Sequence, residues 1–381
     1  MNEFLEHYIG NKITPVKQDI SNLNQHFSKR ISLYTILGIP PLFFKDKRVV
    51  EIGPGGGYNP LVTQSFSLKQ YDLVEPNQYA IENINQVFKE YNVDISNINI
   101  YHSILEDFKS DELYDIVICE GLIPGLENKY EVLEKLDKLL APGGVMVVTS
   151  ADEVSYLFEI LRHYIAYFLV KEDATFDEKL DVFEAAFSSH LNTLKGMSRF
   201  KRDWCADNLM GTMHFNYNFS FKECITFFNS QYSFYNSSPS LFLDYRWYKE
   251  IPIDSKEKNS YFLEQFTKRR HNLLHYQTIY GDRSVALNDE VVQLCKELFI
   301  HVKDTVIHKK DKSVQMVRTI DKICDNVSSL SSENKVLVES LQEVAKLIKE
   351  KDFTVDAVSD KYKNFQHAFG RGTLFISLIK E

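Results

Sequence analysis

The 381-residue chain has little of what marks several protein classes. It holds five cysteines (119, 205, 224, 295 and 324) and no Cys-x-x-Cys pair. That spacing excludes a disulfide framework and a zinc ribbon, so no metal is expected, and it suits a reducing compartment. The opening MNEFLEHYIGNK lacks the basic-then-apolar pattern of a secretory leader. No apolar stretch reaches the roughly 18–20 residues that a membrane span needs. The longest candidate, near Ile160 to Val170, is interrupted by Arg162 and His163. A cytoplasmic protein without a membrane span is therefore expected. A positive surplus is missing too: 44 Lys+Arg stand against 53 Asp+Glu, for a net charge of −9. Residues 1–290 alone carry 29 basic and 40 acidic residues. That is a poor surface for a polyanion, and nucleic acid is not the expected partner. With 44% hydrophobic and 25% charged residues, disorder is excluded as well.

What is present is an alternation. Residues 1–45 read as a helical lead-in that stops at Gly38-Ile39-Pro40-Pro41. Short apolar runs follow at Val49–Ile52, Tyr71–Val74, Asn99–Tyr101, Tyr114–Cys119 (YDIVIC) and Val145–Thr149. Between them lie helical patterns, one with Ile81, Ile84, Val87 and Phe88, another with Leu133, Leu136 and Leu140. Short runs alternating with helices are the pattern of β–α–β crossovers and a parallel sheet with helices on both faces. Residues 151–170 read as one long helix. Pro239–Tyr248 (PSLFLDYRWY) has strand character. The resulting division is a lead-in over 1–45, a catalytic α/β domain over 46–250, a helical connector over 251–290, a coiled coil over 291–369 and a tail over 370–381.

The last ninety residues contain no proline and only two glycines, at 370 and 372. Apolar residues recur at 3–4 spacing: Met316, Ile320, Ile323, Val327, Leu330, then Leu337, Leu341, Val344 and Ile348. Val355, Val358, Tyr362 and Phe365 continue the phase, and Val292, Cys295, Phe299 and Val302 extend it backwards, with a polar gap at Lys309 and Ser313. A seven-residue period kept over this length predicts a left-handed supercoil. Asn334 falls at an a position, where a buried Asn fixes register and favours two strands. A homodimer or homo-oligomer held by this coil is the expected assembly.

The sharpest motif is Glu51-Ile52-Gly53-Pro54-Gly55-Gly56-Gly57, directly after a predicted strand. Glycines let the chain turn tightly and let a ligand approach the backbone. Glu75 closes the second strand, where a carboxylate can accept from both hydroxyls of a ribose. Glu51 stands just before the first glycine, suited to a ligand that carries an ammonium group. After Gly57 the chain reads Tyr58-Asn59-Pro60, which departs from a dinucleotide fingerprint.

These residues, with the YDIVIC strand and the LLAPGGVMVVTS segment, resemble a class I S-adenosylmethionine-dependent methyltransferase over roughly residues 30–150. The resemblance implies a Rossmann-like, seven-stranded, mostly parallel sheet, with residues 200–250 supplying the last two strands. It implies that Gly53, Pro54, Gly55 and Gly57 line the cofactor S-adenosylmethionine. Glu51 would then lie near the methionine ammonium, and Glu75 and Pro76 at the ribose. Many members place an Asp after the third strand to meet the adenine amine; here His102 or Ser103 stands there. Adenine would then be read by Ser103 and the backbone of Ile104, or by Asp107. Cys119, Glu120 and Gly121 would face the methionine moiety and the acceptor.

Methyl transfer from a sulfonium needs little acid–base chemistry; positioning supplies most of the acceleration. An alcohol acceptor needs a nearby base. Candidates are Glu120, Asp152, His163, His214, His271 and His275, the last two four apart on one face if that segment is helical. The loop Cys119-Glu-Gly-Leu-Ile-Pro-Gly lacks the Asn/Asp-Pro-Pro-Tyr/Phe signature of enzymes acting on base or amide nitrogens. An oxygen of a sugar, glycan or other small molecule is the expected acceptor. The glycan reading rests on the resemblance to bacterial enzymes of surface polysaccharides that join a methyltransferase to a coiled coil. The alternatives are an inactive methyltransferase fold recruiting partners through its coil, an aminopropyl transferase, or an N- or peptide methyltransferase.

Overall fold

The computed structural model describes residues 3–11, 14, 18–241, 244–251, 254–330 and 334–381. They form two compact units. The first comprises Met1–Ala151, Asn218–Phe266 and Thr373–Glu381; the second comprises Asp152–Tyr217 and Thr267–Gly372.

The first unit is built on a seven-stranded sheet. Its strands are β1 (Arg48–Ile52), β2 (Gln70–Val74), β3 (Ile98–Tyr101), β4 (Tyr114–Cys119), β5 (Leu140–Ser150), β6 (Tyr232–Ser238) and β7 (Leu374–Lys380). Their order is β3-β2-β1-β4-β5-β7-β6. The first five are parallel, and β7 runs antiparallel to both β5 and β6. The mixed Rossmann-like sheet implied by the sequence is present. Central strands such as RVVEI and YDIVIC are buried over nearly their whole length, as a sheet covered on both faces requires.

The lead-in belongs to this unit. The helix Leu23–Ile36 is capped by the Asn22 side chain, which accepts from the Gln25 N–H. Tyr34, Leu37, Ile39 and Phe44 join Val49, Tyr71, Ile116 and Val147 in one core. The helical reading over 151–170 is realised as Leu157–Leu169, which lies in the second unit.

Two expectations fail here. The last two strands do not both come from residues 200–250. Phe242 and Leu243 of PSLFLDYRWYK lie outside the described residues, and its described residues form no strand; β6 ends at Ser238, and Tyr245, Trp247 and Tyr248 are exposed. The final strand is instead LFISLIK, inside the stretch expected to be a tail. It inserts between β5 and β6, pairing Ser150 with Leu374 and Val145 with Ile379. Leu374, Ile376 and Leu378 alternate into the core, the period-2 pattern such a position needs.

The continuous coiled coil over 291–369 is also not formed. The segment folds as separate helices, Val285–Val306, Ser313–Val327 and Lys335–Glu350, followed by the short Lys363–His367. The middle helix packs against both of its long neighbours. Met316, Ile320, Ile323, Val327, Leu337, Leu341, Val344 and Ile348 are all buried in the chain's own helical unit. These heptad residues are thus spent on packing within the chain itself. Two of the breaks use lysine where glycine is usual: Lys309 (φ 56°) and Lys351 (φ 52°) adopt the left-handed conformation. Asn334 is a helix-terminus residue rather than a seam residue, and its side-chain amide donates to the Val327 carbonyl at 2.8 Å.

Candidate active site

The site is assembled where β1 and β4 lie side by side. Strand order reverses there, because the chain steps outward from β1 to β3 and then returns to β4. Such switch points open a crevice beyond the carboxyl ends of the strands.

The turn after β1 has Gly53 at φ 68° and Gly57 at φ 87°. A Cβ on Gly57 would come within 2.9 Å of the Ile84 backbone, so only glycine allows the loop to pass the helix Gln78–Glu90. A Cβ on Gly53 would meet nothing within 4 Å, and the same holds at Gly121 after β4. Both turns therefore face open space among the described residues.

Glu75 sits at the end of β2, buried, and accepts from the Gly55 N–H at 3.0 Å and the Asn77 N–H at 2.9 Å. A carboxylate offers about four lone-pair sites, so roughly two remain for a ligand diol. Burial raises the Glu75 pKa to about 7, against the pull of those two N–H groups. Glu51 points into the same region and accepts from the Tyr71 hydroxyl. Burial, then the charge of Glu120, lifts Glu51 to about 7 as well.

Glu120 follows β4 and does not stand free. Its two oxygens take the fork of Arg30 at 2.8 and 2.9 Å, with both side chains about nine-tenths buried. Burial opposes the charge on Arg30, but Glu120 outweighs it and the arginine pKa rises further. Arg30 also donates to the Tyr34 hydroxyl at 2.7 Å, and Tyr34 lies 3.3 Å from the Thr63 hydroxyl. His26 Nε2 donates to the Tyr58 carbonyl at 2.8 Å. His26, Arg30 and Tyr34 are spaced four apart on one buried helix face. They were missed because residues 1–45 read as a lead-in. The signal was a polar i, i+4, i+8 stripe on a helix whose other contacts are apolar.

The remaining expected residues divide. Gly53, Pro54, Gly55, Gly57, Glu51, Glu75, Pro76, Cys119 and Glu120 all flank the crevice in the sheet unit. Cys119 is fully buried, and burial pushes its thiol well up, so it is no thiolate nucleophile. Ser103 donates to its neighbour, the Ile104 carbonyl, at 2.9 Å, and His102 Nε2 donates to the Pro76 carbonyl at 3.0 Å. The second ties the loop after β3 to the loop after β2, and Asp107 is exposed.

The other candidate bases belong to the helical unit, outside the crevice residues. Asp152 is spent on Arg270, at 2.8 and 3.1 Å, and on the backbone N–H groups of Val154 and Ser155. His271 and His275 do not share a helix face: the helix Ser255–Arg269 ends before them and a 3₁₀ turn covers Arg270–Leu273. Both are buried, and burial lowers His271 to about 4 and His275 below its ordinary value. Burial likewise lowers His163 to about 4. His214 packs between Tyr156 and Tyr217. All four are buried, and burial favours the neutral form of His163, His271 and His275.

Residues 25–194 match a family model described as a methyltransferase domain. The chain carries a class I S-adenosylmethionine-dependent methyltransferase domain. S-adenosylmethionine is the cofactor of this methyltransferase domain, and the partly unspent Glu75 carboxylate beside the open Gly53 turn fits it. Curated relatives share the domain at low identity. A protein of Rickettsia akari named ubiquinone biosynthesis O-methyltransferase is 27% identical over 153 residues, 39% of this chain and 53% of the relative. Proteins of the same name from Rickettsia canadensis and Rickettsia conorii are 27% identical over 174 residues and 28% over 168. Those alignments take in 42% and 41% of this chain, and 71% and 56% of the relatives. The chain thus spans little more than half the length of the first of these. The methyltransferase match begins near Leu23–Ile36, so that helix is part of the domain rather than a lead-in.

Proposed function

We propose that the chain transfers a methyl group from S-adenosylmethionine to a hydroxyl oxygen of a small-molecule acceptor. The observation that carries this reading is the Glu75 carboxylate, held by two backbone N–H groups beside the Gly53 turn at the switch point. When bound, the cofactor supplies a methyl on a sulfonium whose leaving group is a neutral thioether. The chain's own work is then positioning. Glu75 receives the ribose hydroxyls, and Glu51 faces the ammonium end. Three carboxylates, Glu51, Glu75 and Glu120, against the single Arg30 favour a ligand with cationic groups.

Oxygen is favoured over nitrogen by the names of the relatives, which are O-methyltransferases, and by the missing Asn/Asp-Pro-Pro-Tyr/Phe signature after β4. The glycan reading loses its main support, because it depended on an appended coiled coil. Sugars remain one arm of an acceptor screen. Self-association through 291–369 loses its support for the same reason. Five free, buried cysteines support a cytoplasmic setting, and no described helix is long and apolar enough to cross a membrane.

The test is calorimetric titration with S-adenosylhomocysteine, with Glu75→Ala alongside. Loss of charge-assisted hydrogen bonds to both hydroxyls should weaken binding about a hundredfold. Unchanged affinity in the variant would show that the cofactor lies elsewhere.

A further inference from the structure

The Arg30–Glu120 pair has a property that a purely structural ion pair lacks. It lies at the mouth of the crevice, because Glu120 and Gly121 follow β4 and Gly53 follows the adjacent β1. The turns on either side face open space. Arg30 is nine-tenths buried, yet its Nε has no partner among the described residues. The end of the guanidinium fork is thus occupied by Glu120, Nη2 also donates to Tyr34, and among the described residues Nε is left buried without a partner. A planar guanidinium takes carboxylates end-on or side-on with similar geometry.

We propose that Glu120 is an internal placeholder for a ligand carboxylate: on binding, the amino-acid carboxylate of the cofactor takes Arg30, and Glu120 is released to face the acceptor. The inference rests on the cofactor reading above. In the free protein both Glu120 oxygens are engaged by the guanidinium fork. Once released, it is a buried carboxylate without its cation, and it can accept the proton of an acceptor hydroxyl. The exchange makes ligand binding ordered, with the base appearing only after the cofactor is in place. Both partners stay within the crevice, so no large motion is needed. Glu120 turns away from Arg30, while Tyr34 continues to hold Arg30 from the other side at 2.7 Å.

The sign of one substitution separates this from plain electrostatics. Removing a negative charge from a site that receives a cationic ligand should weaken binding. Removing a competitor for Arg30 should strengthen it. Glu120→Gln is therefore expected to bind S-adenosylhomocysteine about tenfold more tightly by calorimetry. Arg30→Ala should bind it about a hundredfold more weakly. In the Arg30→Ala background, Glu120→Gln should bring no gain, because the competition no longer exists. 5′-Methylthioadenosine, which lacks the amino-acid part, should bind wild type and Glu120→Gln equally. That control also reports whether each variant is folded, as does its thermal transition.

Weaker binding of S-adenosylhomocysteine to Glu120→Gln, with 5′-methylthioadenosine unaffected, overturns the exchange. So does a tenfold gain that persists without Arg30. In either case, intact wild-type binding that is lost in Glu75→Ala leaves the cofactor reading standing. Failure of wild type to bind either ligand would instead remove the reading on which the exchange rests.

Discussion

Each unit buries an arginine, and the two arginines are held differently. In the sheet unit Arg30 faces a side chain, the carboxylate of Glu120. In the helical unit Arg162 is fully buried and faces the backbone. Its Nη2 donates to the Phe365 and Ala368 carbonyls at 3.1 and 2.7 Å, and its Nε to His190 Nδ1 at 3.2 Å. Its guanidinium also lies 3.7 Å from the Phe369 ring centre. Backbone carbonyls cannot be exchanged for a ligand without unfolding the segment. Arg162 therefore pins the stretch that leads toward β7, whereas Arg30 stands at a crevice with a side-chain partner. Burial lowers Arg162 to about 9 against the opposing charge of Glu159, while Glu120 lifts Arg30. A buried charge points to a ligand site when its partner is exchangeable, and to architecture when its partner is main chain.

The contrast can be broken by substitution. The largest effect is expected at Arg162. Arg162→Ala leaves two carbonyls without their donor and opens a cavity, and should cost about 3–5 kcal/mol of stability. Urea titration checks it. A loss near that of a surface change would mean the helical unit does not depend on this pin.

A smaller effect comes from pH. Glu51 is held near 7 in the folded protein against an ordinary 4.5. Its neutral form is favoured by folding, so that stability is complete below about pH 4.5 and is lost as pH rises through 7. Cofactor-free Glu51→Gln should match wild type near pH 4.5. By pH 8 it should be the more stable by on the order of 3 kcal/mol. Parallel melting curves for the two proteins across that range would show that the crevice carboxylates are not strained by burial.

The smallest effect lies in the helical unit. Lys351 ends its helix at φ 52° and ψ 38°. Lys351→Gly removes the left-handed cost and should raise stability by about 0.5–1 kcal/mol. A decrease would mean that the ion pair of Lys351 with Asp311, at 3.8 Å, outweighs the backbone term.

How much was legible follows from the range of each signal. The Glu51–Gly57 turn and Glu75 could be read because a strand end, a tight turn and a carboxylate about 20 residues on are local features with fixed spacing. The stripe His26, Arg30 and Tyr34 was equally local, but its meaning depends on Glu120, ninety residues away. The candidate bases show the converse. His271 and His275 had a suggestive spacing, yet a helix end between them and the rest of the helix removes the shared face. The heptad pattern was real, and most of its positions are buried, Leu330 and Val355 only in part. A 3–4 period reports one apolar face per helix; it does not report whether the face meets another chain or the same chain turned back.

The sequence by itself determined the alternation that builds the parallel half of the sheet, the Gly-rich turn after β1 and the acidic end of β2. Short-range sterics and hydrophobic period are enough for these. Only the tertiary structure decided three things. The first is that LFISLIK, at the far end of the chain, fills the place between β5 and β6. The second is that a seeming rod breaks into packed helices, with left-handed lysines at 309 and 351 at two of the breaks. The third is that Arg30 meets Glu120 at the switch point. Strand partners, left-handed non-glycine turns and ion pairs between distant residues are chosen by the energy of the whole packed state, which no local window contains.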